Sequence, residues 1–298
     1  MRVIQAFTLQ RTGPDAMSGI LDWILTPYYF KKAYPNVPLV LYTNEKSKEA
    51  LGELWEVIVA GYDEVYTNLL KDTLGIFSAP KFEAMQYELD NFGPDFIIID
   101  NDTYVFDGFL NNIPDYCVYY MEPHLMDWYN RIIAGQVDRL EAPSWMTWTA
   151  IPANCSTLRL NNKELLQEYI DLFYSIKAEN LVEHSGLEVA IVKEQWSLME
   201  LYQREKIVPN CLLARNNSFH KGLLKMEMPP IQVIILQEYL AAWLTPKAFK
   251  VYKKIYGDYK IKGRADYDVD STLSVLPRTA YKGLMAPVFE KANKLKKS

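Results

Sequence analysis

Three cysteines in 298 residues, Cys117, Cys155 and Cys211, are odd in number and widely spaced, which excludes a disulfide framework. Cys117 and Cys155 lie in apolar stretches and read as small core residues. No apolar run approaches the length of a membrane-spanning helix. The opening Met1–Phe7 is too short and too soon interrupted for a secretory signal, so a cytoplasmic location is expected. Glycine-rich phosphate loops of the dinucleotide-binding or P-loop kind are absent. Internal repeats and low-complexity stretches are absent too.

What is present is an ordinary globular composition, 49% apolar and 23% charged, with enough length for one large α/β domain or two small ones. Aromatic residues make up 13%, including 21 Tyr and 7 Trp, which serves a core and could also line a groove. The net charge of −5 is unevenly spread. Residues 1–243 carry a balance of −13 and residues 244–298 one of +8. The acidic body argues against nucleic acid as a partner. The basic end, with Lys291, Lys294, Lys296 and Lys297, is either a weak contact for an anionic membrane surface, giving a peripheral location at the inner face, or a solvated tail.

The first half alternates strand and helix. Strands are expected at Arg2–Thr8, Val37–Thr43, either Glu56–Ala60 or Glu64–Tyr66, and up to Asp100; helices at Asp15–Ala33, Ser47–Trp55 and Lys81–Asn91. That alternation predicts a mostly parallel sheet flanked by helices. Further on, strands are expected at Asp115–Met121 and Thr147–Leu160, helices at Asn161–Ala178 and Glu188–Glu205, and a terminal helical pair at Ile231–Leu244 and Pro246–Tyr256. The organisation reads as a domain over residues 1–230 and a helical extension over 231–298 with a basic tail. Gly13, Gly75, Gly135 and Gly186 mark the loops expected to be mobile.

Phe96-Ile97-Ile98-Ile99 leads straight into Asp100-Asn101-Asp102. Apolar on both faces, the run predicts a buried strand, and its carboxyl end is where open α/β sheets bind ligands. On extended chain, acids at i and i+2 point the same way and can share one divalent cation. The alternative is a simple turn, which Asp and Asn also favour. Four further patterns accompany the acid pair. They are Lys81 at a helix start, Asn154 in Pro152–Asn161, the pair Glu194-Gln195, and His220-Lys221-Gly222-Leu223-Leu224-Lys225.

This run of motifs resembles a GT-A fold, metal-dependent glycosyltransferase, with an order similar to glycogenin-type and galactosyltransferase-type retaining enzymes and their bacterial relatives. Pro38–Asn44 and Tyr62–Val65 look like the same family. The resemblance implies that Asp100, Asp102 and His220 hold Mn2+ (or Mg2+), and that Thr8, Lys81, Asn154 and Lys225 bind a nucleotide sugar, a UDP-sugar first. It implies Gln195 and Glu194 at the reacting centre and transfer of a hexose to a glycan or other hydroxyl acceptor, with retention, as in polysaccharide biosynthesis. If configuration inverts, Glu194 becomes the candidate base. Several positions depart from the family pattern: His220 and Gly222 are one residue apart rather than two, Glu194 replaces Asp, and Cys155-Ser156 replace Ala-Gly. The alternative is a non-catalytic carbohydrate- or nucleotide-sugar-binding protein on the same fold. A nucleotidyltransferase of the pyrophosphorylase kind is disfavoured, because the first strand lacks the glycine-rich loop. Elsewhere, Asp266–Asp270 starts like a calcium loop but lacks its glycine and closing Glu, and His124 and His184 have no ligand-spaced partners.

Overall fold

The computed structural model describes residues 1–7, 26–27, 30–31, 33–45, 48, 62–67, 78–101, 103–105, 108–122, 126–136, 140–178, 191–212 and 223–225. In chain order the strands are β1 (Arg2–Ala6), β2 (Leu39–Tyr42), β3 (Glu64–Tyr66), β4 (Phe96–Ile99), β5 (Thr103–Val105), β6 (Tyr116–Met121), β7 (Leu140–Glu141), β8 (Ala153–Leu160), β9 (Lys177–Ala178), β10 (Asn210–Cys211) and β11 (Leu223–Lys225). The helices are α1 (Ala79–Phe92), α2 (Met126–Gln136), α3 (Lys163–Ser175) and α4 (Ser197–Arg204), the last entered through a π-helical turn at Val192–Trp196.

Among the described residues, seven strands form one sheet in the order β10-β6-β8-β4-β1-β2-β3. β1 runs parallel to β2 and β4, β2 to β3, and β6 to β10; β8 alone runs antiparallel, between β4 and β6. The fold is α/β, a mixed, mostly parallel Rossmann-like sheet with helices. Neighbouring residues face opposite sides. Ile4, Val40 and Ile98 join a core with α1, α3 and α4, whereas Val3, Leu39 and Ile97 join a second core with Phe30, Phe109 and Leu212. Burial on both faces explains why β2 and β4 are apolar throughout and lack alternation.

Helix limits follow local chemistry. Pro80 opens α1, and Gly93, at φ 84, ends it in a conformation that favours glycine. Asn162 caps α3 by accepting the N–H of Leu165 at 2.9 Å, so that helix starts later than the pattern alone suggests, and Lys177–Ala178 beyond it pairs as β9 with β7.

Several expectations need correction. The strand expected over Thr147–Leu160 begins only at Ala153, because the N–H groups of Thr147, Thr149 and Ala150 go to the carboxylate of Glu200 rather than to a neighbouring strand. Gly135 lies inside α2, an unexpected helix, not in a loop. The strand at 64–66 is the one that forms; 56–60, the terminal helical pair and the extension 231–298 with its tail lie outside the described residues. No described helix is long and apolar enough to cross a membrane.

Candidate functional site

Asp100 follows β4 directly, at the carboxyl edge of the sheet. The chain turns there rather than running on. The Asp100 carbonyl accepts the N–H of Thr103 at 3.0 Å, closing a four-residue turn, and also the amide of Gln5 at 3.1 Å. The extended geometry assumed for the acid pair therefore gives way to a turn, and Asp102 at its third position lies outside the described residues. After the turn, β5 pairs antiparallel with β11, setting Thr103 opposite Lys225 and Val105 opposite Leu223. The backbone that follows His220 is thus drawn alongside the backbone that follows Asp102. His220 and Thr8 themselves lie outside the described residues.

Lys81 sits in the first turn of α1 and reaches this edge partly shielded from solvent. Its ammonium lies 2.6 Å from Asp100 Oδ1, 2.5 Å from Glu194 Oε1 and 3.3 Å from the carbonyl of Cys155. Burial by itself pulls Lys81 down; the charges of Asp100 and Glu194, with their hydrogen bonds, outweigh it and hold the ammonium above the ordinary lysine range. So Lys81 cross-links two carboxylates. Cys155, buried among these groups, has its thiol pushed well up, first by burial and then by the charge of Glu194. It is a core residue, as its apolar surroundings suggested.

A bulge in β8 makes room for this contact. Between the pairs Val118 with Leu158 and Tyr120 with Asn154, β6 advances two residues while β8 advances four. Carbonyls of the bulged stretch turn to the site: Cys155 receives Lys81, and Ser156 receives the Asp100 N–H at 2.7 Å. Asn154 Oδ1 accepts the N–H of Ser156 at 3.0 Å, and its Nδ2 lies 3.3 Å from Glu122 Oε1. Asn154 is buried and both ends of its amide are engaged by the protein.

Glu194 and Gln195 come from the π-helical turn. Widening of the turn strips carbonyls of their usual partners, and side chains replace them: Tyr169 Oη donates to Glu194 O at 2.8 Å, and Ser197 Oγ to Lys193 O. Gln195 meets Tyr129 of α2, and Tyr129 meets Glu122, which directly follows β6. As drawn, the Tyr129 oxygen lies within bonding reach of Glu122 Oε2 and Gln195 Oε1, yet a phenol has one proton. The set closes when Tyr129 donates to Glu122 and the Gln195 amide is turned to donate from Nε2 to Tyr129. That orientation directs the Gln195 carbonyl away from Tyr129. Burial, then the Glu122 charge, push the Tyr129 hydroxyl far above the usual phenol range, so it stays protonated.

Five of the residues singled out in sequence, Lys81, Asp100, Asn154, Glu194 and Gln195, therefore belong to one linked arrangement at one sheet edge. Lys225 is aligned with it by backbone register. Two members, Glu122 and Tyr129, were not foreseen. Glu122 had a signal: an acid straight after an apolar strand, the same pattern as Asp100. Tyr129 had none beyond its ring. Among the described residues, no three His, Cys, Asp or Glu side chains gather as a metal cluster.

No protein-family model matches the chain, and no curated protein is detectably similar to it in sequence. Among solved structures, the apo form of mouse xyloside xylosyltransferase 1 is similar over 71% of this chain and 84% of its own, at 11% identity and a TM-score of 0.39. A cytidylyltransferase from Leptospira borgpetersenii serovar Hardjo-bovis (strain JB197) is similar over 87% and 97%, at 11% identity and a TM-score of 0.34. Likeness at that level assigns the chain to neither.

Proposed function

We propose that this chain is a GT-A type glycosyltransferase that moves a sugar, a hexose first, from a nucleoside diphosphate donor to a hydroxyl acceptor with the help of a divalent cation. The observation that carries the reading is the junction of Asp100, Lys81 and Glu194. These residues belong to three separate motifs of the sequence, and the Lys81 ammonium lies within 2.6 Å of both carboxylates. Chance motif matches scattered over more than a hundred positions have no reason to converge on the carboxyl end of one strand.

The donor set suits a hard cation. Asp100 supplies hard carboxylate oxygen at the carboxyl end of the central strand. Asp102 and His220 are the other ligands in this reading, and an imidazole among them favours manganese over magnesium. A cation bound there supplies Lewis-acid stabilisation of the departing diphosphate. The chain's own groups do the rest. Lys81 fixes Asp100 and Glu194 relative to each other. Lys225, on the strand paired beside the acid turn, shares the diphosphate charge. The Gln195 carbonyl, turned from Tyr129, faces the positive charge that develops on the sugar carbon as the leaving group departs. Glu194, already held by Lys81, orients rather than deprotonates, which favours retention.

The test is calorimetric titration of the protein with UDP-, GDP- and other nucleotide sugars, with and without manganese. Metal-dependent binding of one of them, lost on the order of tenfold or more in Asp100→Asn while the variant stays folded at the titration temperature, is the expected result. Binding that ignores both manganese and the Asp100→Asn change would sink the reading.

A further inference from the structure

Among the described residues, three other than glycine have a positive φ: Asn112 at 58°, Trp148 at 57° and Lys206 at 55°. Asn tolerates that region, and Lys206 closes α4, where the Ile207 N–H returns to Tyr202 O at 2.8 Å. Trp148 has neither excuse. Its conformation is imposed from α4. Glu200 Oε2 accepts the N–H of Thr147 at 2.8 Å and its hydroxyl at 3.1 Å, while Oε1 accepts the N–H groups of Thr149 at 2.6 Å and Ala150 at 2.8 Å. A buried carboxylate thus grips the residues on both sides of Trp148 and skips the one between. Glycine or asparagine would sit there unstrained, so the indole is what the arrangement holds in place.

The ring it holds lies at the site. Trp148 meets Trp196 of the π-helical turn at 5.6 Å and 79°, and Trp196 meets Tyr129 at 5.5 Å and 75°. Trp196 directly follows Gln195. In an edge-to-face contact at most one face of Trp148 is taken by Trp196, and the ring is only partly buried. Because β8 is antiparallel, the loop bearing Trp148 enters it at the carboxyl edge of β4, the edge of Asp100.

We infer that Trp148 is the platform on which the pyranose ring of the acceptor glycan stacks. The apolar C–H face of a pyranose bears partial positive charge and complements the electron-rich indole face, while its hydroxyls remain at the rim. A rigidly held indole packed on Trp196 of the π-helical turn presents the acceptor hydroxyl from a fixed direction. The inference rests on the glycosyltransferase reading and names the acceptor class.

Full-length protein labelled with 5-fluorotryptophan carries seven indoles, and the fluorine resonance missing from Trp148→Phe identifies Trp148. The probes are the methyl pyranosides of glucose, galactose and xylose at up to about 0.1 M, with magnesium and UDP present and glycerol as control. The expected result is a saturable shift of the Trp148 resonance with at least one pyranoside and none with glycerol. Saturation-transfer signals from that glycoside should fall roughly tenfold in Trp148→Gly and less in Trp148→Phe. A Trp148 resonance unmoved by all three, or moved as much by glycerol, overturns the inference whether or not the Gly variant folds. Sugar transfer with an unmoved resonance removes only the platform; a saturable shift in a protein that transfers nothing keeps it and removes the transferase.

Discussion

Lys81 Nζ and Glu194 Oε1 lie 2.5 Å apart although 113 positions separate them in the chain. The contact ties the first turn of α1 to the π-helical turn, and through Asp100 it ties both to the end of the central strand. Fold and chemistry meet at one ammonium. Removing it leaves a buried carboxylate, Glu194, and a partly exposed one, Asp100, without the cation they share.

Lys81→Met should therefore lower stability by about 2 kcal/mol, less than for a fully buried pair because Asp100 is partly exposed. The shift of Lys81 is upward, so its contribution is complete below the unfolded lysine value, about 10.4, and declines only above it. Denaturant melts should give the same difference between wild type and variant at pH 6 and pH 9. A difference that collapses within that range would contradict the assignment.

Lys193, the next residue before Glu194, behaves oppositely. It is buried against the ring of Phe173, 4.7 Å away, and desolvation lowers it to about 8. Between that value and about 10.4 the unfolded chain binds a proton the folded one does not, so stability rises with pH across this window. Below it the penalty is constant. Lys193→Met should be more stable than wild type by on the order of 1–2 kcal/mol at pH 7, with the advantage fading as pH approaches 10.5. Melts of the pair from pH 7 to 10.5 check this, and an advantage that grows with pH would refute it.

Much of this was legible in advance because the carriers are local. The run Phe96–Ile99 with its acid, the Pro80 helix start and the parallel half of the sheet follow from residue type and order alone. The ribbon of β5 and β11 was not legible, since three-residue strands have too little pattern to distinguish them from loop. Nor was the loop ahead of β8: Thr147–Ala150 reads as strand until Glu200, fifty residues away, takes its N–H groups. The π-helical turn was hidden for the same reason. Its extra residue is stabilised by Tyr169 and Ser197, which no local periodicity reveals.

Tyr129→Phe tests the reading of Gln195. With the amide turned so that Nε2 donates to the phenol, Tyr129 holds the Gln195 carbonyl pointing elsewhere, and it also serves the buried carboxylate of Glu122. Loss of the hydroxyl should cost about 1–3 kcal/mol in stability, as for a buried acceptor left with fewer donors. Turnover should fall on the order of tenfold while donor KM stays near wild type, since the lost orientation matters to the transition state and not to donor binding. A raised donor KM with unchanged kcat would place Gln195 in ground-state binding instead.

Glu200→Gln addresses the loop that carries Trp148. A glutamine has one acceptor oxygen where Glu200 uses two, so the N–H groups of Thr149 and Ala150, or that of Thr147, must lose their partner. Bonds to a charged acceptor contribute about 1.5–3 kcal/mol each, and water reaching the exposed Thr residues recovers part, so a net loss of about 2 kcal/mol is expected. Freed from its grip, Trp148 should relax toward ordinary φ. Amide exchange at 147–150 should quicken while α4 stays protected. Trp148→Gly, by contrast, relieves the strained φ and keeps all four bonds, so those amides should exchange as slowly as in wild type. If both variants loosen the loop equally, the indole holds the loop rather than the loop the indole, and the direction of cause assigned to Glu200 is reversed.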